Sequence, residues 1–267
     1  MGYSKREHYA LEKILADQLK KANREERKML YKDLYNKLFS AFPEISQGVN
    51  STVAHRLSWK MKFLRPYLRK NKTFLEVGCG NCEVSKKVCS FTKQVIAYEV
   101  SDKIPFVKDK PVNLTVKYFD GVRFYEPDES IDIIYSNQVL EHLHPEDAVD
   151  ALQYYYKMLT IGGVLVMATP NRITGPDDIS RDFSVIPEGF HLHEYTYAEL
   201  VSKLKGSKFN RIRIIVGHPR LFYAKLNPRV LLWLERFLLK LSSKTRVRIR
   251  SNKLVLNLFG IKIVATK

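Results

Sequence analysis

The sequence predicts an α/β protein whose core is one mostly parallel sheet of seven strands, with helices on both faces. Strand-like and helix-like segments alternate between residues 70 and 217, the pattern typical of a parallel sheet. The first strand runs directly into a turn that contains two glycines, and polar or acidic residues follow four strands, near positions 78, 99, 120 and 137. Because the carboxyl ends of parallel strands share one sheet edge, we expect a ligand crevice there.

Helices are expected ahead of the sheet. Apolar residues recur three or four positions apart over residues 3–41, which predicts two helices broken near Ala22-Asn23. The same spacing recurs over residues 51–70, where Pro66 interrupts the helix. We therefore divide the chain into an N-terminal helical extension, residues 1–50, and a domain that spans residues 51–267.

The segment from Thr73 to Cys82 is predicted to be a strand followed by a ligand-binding turn. Gly78 and Gly80 permit backbone angles and a close ligand approach that a Cβ atom would prevent. The helix that begins after such a turn offers backbone N–H groups to a nucleotide-like ligand. A dinucleotide fingerprint would need a glycine at position 83, where this chain has Glu83.

The second and third strands each end in an acidic residue. A helix over residues 83–91 leads to a strand that ends in Glu99, 23 positions after Glu76. This separation is close to that at which a carboxylate on the second strand binds both hydroxyls of a ribose. The third strand, residues 113–119, ends at Asp120-Gly121.

The remaining elements follow in order. They are a strand at 131–135, the segment 136–143, a helix at 145–159, strands at 164–168 and 208–216, and a closing strand at 254–266.

The sequence Glu76-x-Gly78-x-Gly80 resembles motif I of the class I S-adenosylmethionine (SAM) methyltransferases, which have a Rossmann-like fold. Residues 136–143 resemble motif IV of the branch that methylates small molecules, and Cys82 departs from the family by replacing a third glycine. The resemblance implies SAM as the cofactor and a lid formed by the N-terminal helices. The cofactor-binding residues that it implies are Glu76, Gly78, Cys79, Gly80, Asn81, Glu99, Val100, Asp120, Gly121, Asn137, Gln138 and Val139.

A long polar loop from Thr169 to Tyr195 precedes a helix whose capping box is Thr196 to Glu199. Loops of this length in compact domains are usually functional. Similar loops cover the acceptor pocket in methyltransferases of cell-surface glycan and quinone pathways. The residues that we expect to bind the acceptor are Glu141, Asn171, Arg172 and His193.

Histidines near the crevice are the candidate catalytic residues. Methylation of a hydroxyl benefits from a general base with a pKa near neutrality, which histidine supplies. His142, just past the fourth strand, is the first candidate and His191, in the long loop, is the second. We therefore predict O-methylation of a small or lipid- or glycan-linked anionic acceptor.

Two other functions stay open. The small-RNA 2′-O-methyltransferases hold a divalent ion with a Glu-x-x-Glu-His motif, but here the first acid is Gln138, a poor ligand for a hard cation. RNA methylation is thus an alternative that rests on the positive charge, and we predict no metal site. The other alternative is a non-catalytic binding protein with the SAM fold.

The charge of the chain is strongly segregated. Residues 73–202 contain 11 Lys and Arg against 20 Asp and Glu, whereas residues 203–267 contain 17 against 1, within a formal net charge of +17. Residues 219–251 are predicted to be a basic insert with an amphipathic helix at 230–241, followed by alternating Arg246, Arg248 and Arg250. The insert either packs on the core, binds an anionic membrane surface, or docks a phosphorylated substrate.

The cysteines, the apolar runs and the N-terminal residues bear on metal binding, membrane insertion and secretion. Cys79 and Cys82 lack the second ligand pair of a zinc site, so we expect them and Cys89 to pack as small residues. No apolar run reaches the ~20 residues of a membrane span, and no signal-peptide core is present. We expect a cytoplasmic protein that associates peripherally with the inner face of the membrane.

Overall fold

The computed structural model describes residues 3–47, 52–104, 110–216, 224–226, 228–241, 245 and 260–267. Within these residues one sheet contains eight strands. The strands are β1 (Thr73–Val77), β2 (Gln94–Glu99), β3 (Leu114–Tyr118), β4 (Ile131–Asn137), β5 (Leu159–Thr169), β6 (Arg211–Val216), β7 (Ala224–Leu226) and β8 (Ile261–Thr266). The helices are α1 (Lys5–Lys21), α2 (Arg24–Ala41), α3 (Pro43–Gln47), α4 (Thr52–Leu64), α5 (Glu83–Val88), α6 (Pro145–Met158), α7 (Tyr197–Gly206) and α8 (Pro228–Leu239).

The strand order is β3-β2-β1-β4-β5-β8-β6-β7. The first five strands pair in parallel, whereas β8 runs antiparallel to both of its neighbours, β5 and β6. This confirms the mostly parallel Rossmann-like sheet. The three-residue strand β7 adds an eighth member at the edge, inside the segment that we expected to be an insert.

One strand begins earlier than predicted. We expected β5 to start at Val164, after the glycine pair, but it starts at Leu159. The register between β4 and β5 shifts there, because Ile131 pairs with Leu159 while Ile133 already pairs with Val164. Gly162, with φ of +79°, allows this irregularity without interrupting the strand.

The sheet separates two apolar cores, as expected for helices on both faces. Alternate residues of a strand point to opposite faces, so Leu75 and Val77 enter one core and Phe74 enters the other. The first core is completed by α1, α2, α6 and α7, and the second by α4 and α5. Both faces of the central strands are therefore buried, which explains their nearly continuous apolar sequence.

The N-terminal helices are attached to the rest of the molecule by a buried ion pair. The break that we predicted near Ala22-Asn23 is present, and Asn23 starts α2 with a capping box. Arg27 is 2% exposed and donates from Nε to Asp147 Oδ2 at 2.7 Å. The Tyr31 hydroxyl donates to the same oxygen at 2.8 Å. These bonds hold α2 against the start of α6. Separating the two helices would be costly, because it would leave a buried charge without its partner.

Helix α8 packs on α7 through a carboxylate. Glu235 is buried and accepts hydrogen bonds from the backbone amides of Tyr197 at 2.6 Å and Ala198 at 2.8 Å. It therefore serves as an additional cap for the first turn of α7. Helix α8, at residues 228–239, starts and ends two residues earlier than the predicted helix at 230–241.

Part of the predicted C-terminal organisation is not described. Arg246, Arg248, Arg250 and residues 254–259 lie outside the residues that the structure describes. None of the described helices is both long and apolar enough to cross a bilayer.

Candidate active site

The glycine turn after β1 has the backbone geometry that its sequence predicts. Gly78 has φ of +66°, and a Cβ atom there would lie 2.7 Å from Val139 Cγ2. Gly80 has φ of +53°, and a Cβ there would meet nothing within 4 Å. Cys82 also adopts a left-handed conformation, with φ of +62°, which is the conformation that glycine adopts most readily. Gly78 is thus required by close packing, while the space at Gly80 is open to a ligand.

Glu99 closes the turn from the end of β2. Its Oε2 accepts from the Gly80 amide at 2.7 Å, and its Oε1 accepts from the amides of Val100 at 2.9 Å and Ser101 at 3.2 Å. Burial raises the pKa of Glu99, although the three backbone N–H groups oppose that effect. A carboxylate offers about four acceptor positions, so one remains for a ligand hydroxyl.

A cleft with a volume of about 190 Å³ lies against this turn. Seven of the expected cofactor residues contribute to its wall: Gly78, Gly80, Glu99, Val100, Gly121, Gln138 and Val139. The other lining residues are Tyr31, Tyr35, Phe39, Ile104, Phe119, His142 and Leu143. Of these, the sequence reasoning assigned a role only to His142. The aromatic residues of α2 occur four positions apart, which is the signal that could have placed them on one helix face.

Five of the expected cofactor residues do not line the cleft. They are Glu76, Cys79, Asn81, Asp120 and Asn137. Glu76 is buried behind the turn and accepts from Ser85 Oγ at 2.5 Å; burial raises its pKa to about 7. Asp120 Oδ1 accepts from the backbone amides of Val122 and Arg123 at 2.9 and 2.7 Å. The carboxylates of Glu76 and Asp120 thus shape the local backbone.

The cysteines have the packing role that we predicted. Cys79, Cys82 and Cys89 are buried free thiols in the core between the sheet, α4 and α5. The Sγ atoms of Cys79 and Cys82 are 3.2 Å apart. This contact and burial raise the pKa of Cys79, so that the thiol is kept protonated.

At one end of the cleft, two histidines and a carboxylate converge. Ligand atoms of Glu141, His142 and His191 all lie within 4.8 Å of one another. The imidazole rings of His142 and His191 meet edge to face with centroids 4.9 Å apart. The sequence reasoning had named these three residues separately, and the structure brings them together.

Each histidine is oriented by a partner on its Nδ1 atom. His142 Nδ1 lies 3.0 Å from the Phe190 carbonyl oxygen, which can only accept, so Nδ1 carries the hydrogen. His191 Nδ1 lies 2.8 Å from Glu194 Oε1. The Nε2 atom of His142 is therefore without hydrogen in the neutral ring.

The pKa values in this cluster differ from the near-neutral value that we expected for a histidine base. Burial, together with the nearby charge of His191, lowers the pKa of His142 to about 3. Burial by itself also lowers the pKa of His191, but the hydrogen bond to Glu194 and the charge of Glu141 outweigh it and raise the pKa to about 9. Burial raises the pKa of Glu141 to about 7. An ordinary histidine titration near pH 6.5 is therefore not expected from either ring.

Three of the expected acceptor-binding residues are bonded to the start of α7 or within their own loop. Asn171 is fully buried and its Oδ1 accepts from the Ile173 amide at 2.9 Å. Arg172 donates to Glu199, and His193 lies 3.6 Å from the same carboxylate. These side chains do not line the cleft, whereas Glu141 belongs to the histidine cluster.

Comparisons with known proteins point to one family. Residues 75–167 match the family model described as a methyltransferase domain. A probable S-adenosylmethionine-dependent methyltransferase of Mycolicibacterium smegmatis is 27% identical over 180 residues, which are 65% of this chain and 68% of that protein. A protein of the same description from Mycobacterium tuberculosis is 30% identical over 136 residues, which are 51% of this chain and 47% of that protein. The chain thus spans about half the length of the latter relative.

Solved structures of methyltransferases share the fold. Phosphoethanolamine N-methyltransferase 2 of Haemonchus contortus, in complex with S-adenosyl-L-methionine, has a TM-score of 0.55 at 18% identity and covers 78% of this chain and 52% of its own. A SAM-dependent methyltransferase of Archaeoglobus fulgidus has a TM-score of 0.52 at 18% identity, covering 80% and 94%. At these identities the similarity shows the fold alone.

Residues 75–167 thus form a methyltransferase domain, and the chain is similar to SAM-dependent methyltransferases in sequence and in fold. Its cofactor is SAM, and the cleft has features that fit this group. The space beside Gly80 in the glycine turn is open to the cofactor. Glu99 has an acceptor position left for a ribose hydroxyl. The lining of Phe39, Ile104 and Phe119 supplies apolar surface for a flat base.

Proposed function

We propose that this methyltransferase transfers the methyl group of SAM to a hydroxyl oxygen of a small or lipid- or glycan-linked anionic acceptor. The observation that carries the proposal is the position of His142, which lines the cleft and keeps its Nε2 atom free of hydrogen. A hydroxyl is a poor nucleophile until its proton is accepted, so a nitrogen lone pair beside the cofactor cleft favours an oxygen acceptor.

SAM, when bound, supplies an electrophilic methyl group on a sulfonium. The chain's own contribution begins with positioning, because holding two reactants in line supplies several kcal/mol. In the proposal, Glu99, which the Gly80 amide holds in place, binds the nucleoside end of the cofactor. The cluster of Glu141, His142 and His191 handles the acceptor proton, with His142 as the first group and His191 as the second.

The N-terminal extension is proposed to be the lid of this site. Tyr31, Tyr35 and Phe39 of α2 form part of the cleft wall. Tyr35 stacks on Phe190 of the long loop with ring centroids 4.5 Å apart. This contact joins α2 to the loop, and in the proposal the two together exclude water from the reacting atoms.

The acceptor is proposed to be presented at an anionic membrane surface on the cytoplasmic side. Helix α8 exposes Trp233 and Phe237, which stack with centroids 6.3 Å apart, next to exposed Arg236 and Lys240. Aromatic side chains beside basic ones suit the interface of an anionic bilayer. The strongly basic last 65 residues support the same partner.

A turnover screen tests the proposed reaction. The full chain would be incubated with methyl-labelled SAM and a panel of phosphosugar, quinol and RNA acceptors, and the labelled product would be identified by mass spectrometry. We expect methylation of oxygen, and His142→Ala should lower kcat by about 100-fold with SAM affinity nearly unchanged.

The matched control is His144→Asn. His144 is the N-cap of α6, a role that asparagine also fills, so this variant should retain turnover. Methylation of nitrogen only, or wild-type kcat in His142→Ala, His191→Ala and the double variant, would contradict the proposal.

A further inference from the structure

Glu141 presents a buried carboxylate oxygen that lacks a partner. The residue is fully buried, and its Oε2 atom accepts from Thr169 Oγ1 at 2.9 Å. The other oxygen, Oε1, has no hydrogen-bond partner within the described part of the chain. A buried acceptor left without a partner costs about 1–3 kcal/mol, which calls for an explanation.

The two histidines beside Glu141 are held as metal ligands usually are. A metal-binding histidine donates its second ring N–H to a carbonyl or carboxylate, which fixes the ring and its tautomer. His142 makes this bond to the Phe190 carbonyl, and His191 makes it to Glu194. Both rings therefore have their Nε2 atom left for another partner.

We propose that Glu141, His142 and His191 bind a divalent first-row transition ion, with Zn²⁺ the best fit. Two imidazoles, each without hydrogen on Nε2 once the ion is bound, and one carboxylate form the three-ligand set of catalytic zinc sites, which keep a further position open. The candidate ligand atoms lie within 4.8 Å of one another. Metal–ligand bonds of about 2.0–2.2 Å would require them to move closer by roughly 1 Å. His142 lines the cleft, so the cluster borders the space where the acceptor would bind.

This inference rests on the proposed function and specifies how the cluster acts. An acceptor hydroxyl bound at the open position would lose its proton to solvent more readily, because the ion stabilises the alkoxide. The alkoxide oxygen would then form the new bond to the methyl carbon. The bond from that carbon to sulfur breaks, and the sulfur keeps the electron pair as a neutral thioether. With the ion bound, both histidines are ligands. The inference thus replaces their direct role as proton acceptors, and it replaces our expectation of no metal site.

Metal binding can be measured without an acceptor. The full chain would be treated with a chelator, desalted, and titrated separately with ZnCl₂, MnCl₂ and MgCl₂ by calorimetry, with the bound metal counted by mass spectrometry. We expect one equivalent of Zn²⁺ or Mn²⁺ and none of Mg²⁺, because magnesium prefers oxygen ligands. Glu141→Gln and His191→Asn should each weaken Zn²⁺ binding by at least 10-fold, whereas His144→Asn should bind as the wild type.

Three binding results would overturn the inference. They are absence of Zn²⁺ and Mn²⁺ binding, equal binding in Glu141→Gln and in the His144→Asn control, and binding of Mg²⁺ alone. Unchanged oxygen methylation by the chelator-treated chain would also overturn it, and would leave the proposed function standing with His142 as a direct base. Failure of the chain to methylate any oxygen acceptor, with the ion bound as expected, would instead contradict the proposed function.

Discussion

Glu99 combines two roles within one carboxylate. It holds the glycine turn through the Gly80 amide and retains one acceptor position toward the cleft. We expect Glu99→Ala to raise the Kd for SAM by about 5- to 150-fold, or ~1–3 kcal/mol, because the ribose hydroxyl and the Gly80 amide both lose an acceptor. Calorimetric titration with SAM measures this change.

The control for Glu99 is a nearby acid at the surface. Asp102 follows the same strand but pairs with Lys32 outside the cleft wall, so Asp102→Asn should bind SAM as the wild type. If Glu99→Ala also binds SAM with unchanged affinity, the assignment of Glu99 to the ribose is wrong.

The lowered pKa of Glu199 predicts that the free energy of unfolding depends on pH. Partial burial by itself raises its pKa, but the nearby His193 and the hydrogen bonds from the Thr196 amide and Arg172 outweigh this effect and lower the pKa to about 2. An unfolded glutamate has a pKa of about 4.3. The stabilisation by the ionised group is therefore complete above about pH 4.3 and is lost as the pH falls toward 2.

The measurement compares the free energy of unfolding of the wild type and Glu199→Gln at several pH values. Glutamine can keep the capping box, so the difference reports the charge. We expect the wild type to be more stable at pH 7 and the two proteins to converge between pH 4.3 and 2. The exposed acid Asp128 provides the control, since Asp128→Asn should show no such convergence. A difference that stays constant over the whole range would contradict the assignment.

At the scale of elements, α1 and the long loop are held together by several contacts. Glu12 Oε1 accepts from the Phe190 amide at 2.8 Å, and Lys13 pairs with Glu188 at 2.7 Å. The rings of Tyr9 and Phe183 stack with centroids 4.5 Å apart. The Phe190 carbonyl orients His142, so Glu12 holds the same residue through its N–H group.

Removal of the Glu12 carboxylate should therefore loosen the loop. We expect Glu12→Ala to increase hydrogen exchange at the Phe190 amide by 5-fold or more, since a buried N–H would lose its acceptor. Glu12→Gln keeps an oxygen acceptor and should restore most of the protection. Glu7→Ala changes an exposed residue of the same helix and is the control. Equal exchange in all four proteins would show that α1 does not hold the loop.

The elements of this fold were predictable because their signals are local. Apolar periodicity predicted α1, α2 and the central strands, and the capping residues Asn23 and Thr196 mark helix starts in the sequence. The start of β5 was predicted wrongly, because a glycine pair inside a strand looks like a turn. Only pairing with β4 shows that the strand continues through it.

The site was less predictable, because its geometry depends on contacts between distant segments. The sequence places Gly78, Gly80 and Glu99 in the turn, since their spacing is set by one strand and one loop. It does not show that Arg172 and His193 turn toward Glu199. It also does not show that His191 lies close to Glu141, 50 residues earlier in the sequence, because that proximity depends on how the long loop folds back.

At the scale of the whole molecule, positive charge and the cleft lie in different parts of the sequence. The acidic middle, residues 73–202, contributes most of the cleft wall, whereas the last 65 residues hold a single acid, Glu235. That acid is buried as a cap on α7. A basic segment without exposed acids attracts anionic surfaces over a distance set by the ionic strength.

This arrangement predicts salt-dependent binding to anionic vesicles. The full chain should float with vesicles that contain about 30% phosphatidylserine at low salt and lose much of this binding at about 0.5 M NaCl, because screening shortens the reach of each charge. Trp233→Ala/Phe237→Ala should lower the bound fraction at both salt concentrations, since these exposed rings contribute apolar contact that salt does not screen.

Charge reversal distinguishes the electrostatic contribution to vesicle binding from the apolar contribution. Arg236→Glu/Lys240→Glu changes two exposed residues beside those rings and should reduce binding at low salt only. Val112 is an exposed apolar residue before β3, so Val112→Ala tests whether any loss of apolar surface has the same effect; it should bind as the wild type. Neutral vesicles set the baseline. Equal flotation with neutral and anionic vesicles at both salt concentrations would leave α8 with only its packing role on α7, since that role depends on Glu235 and not on the outward face.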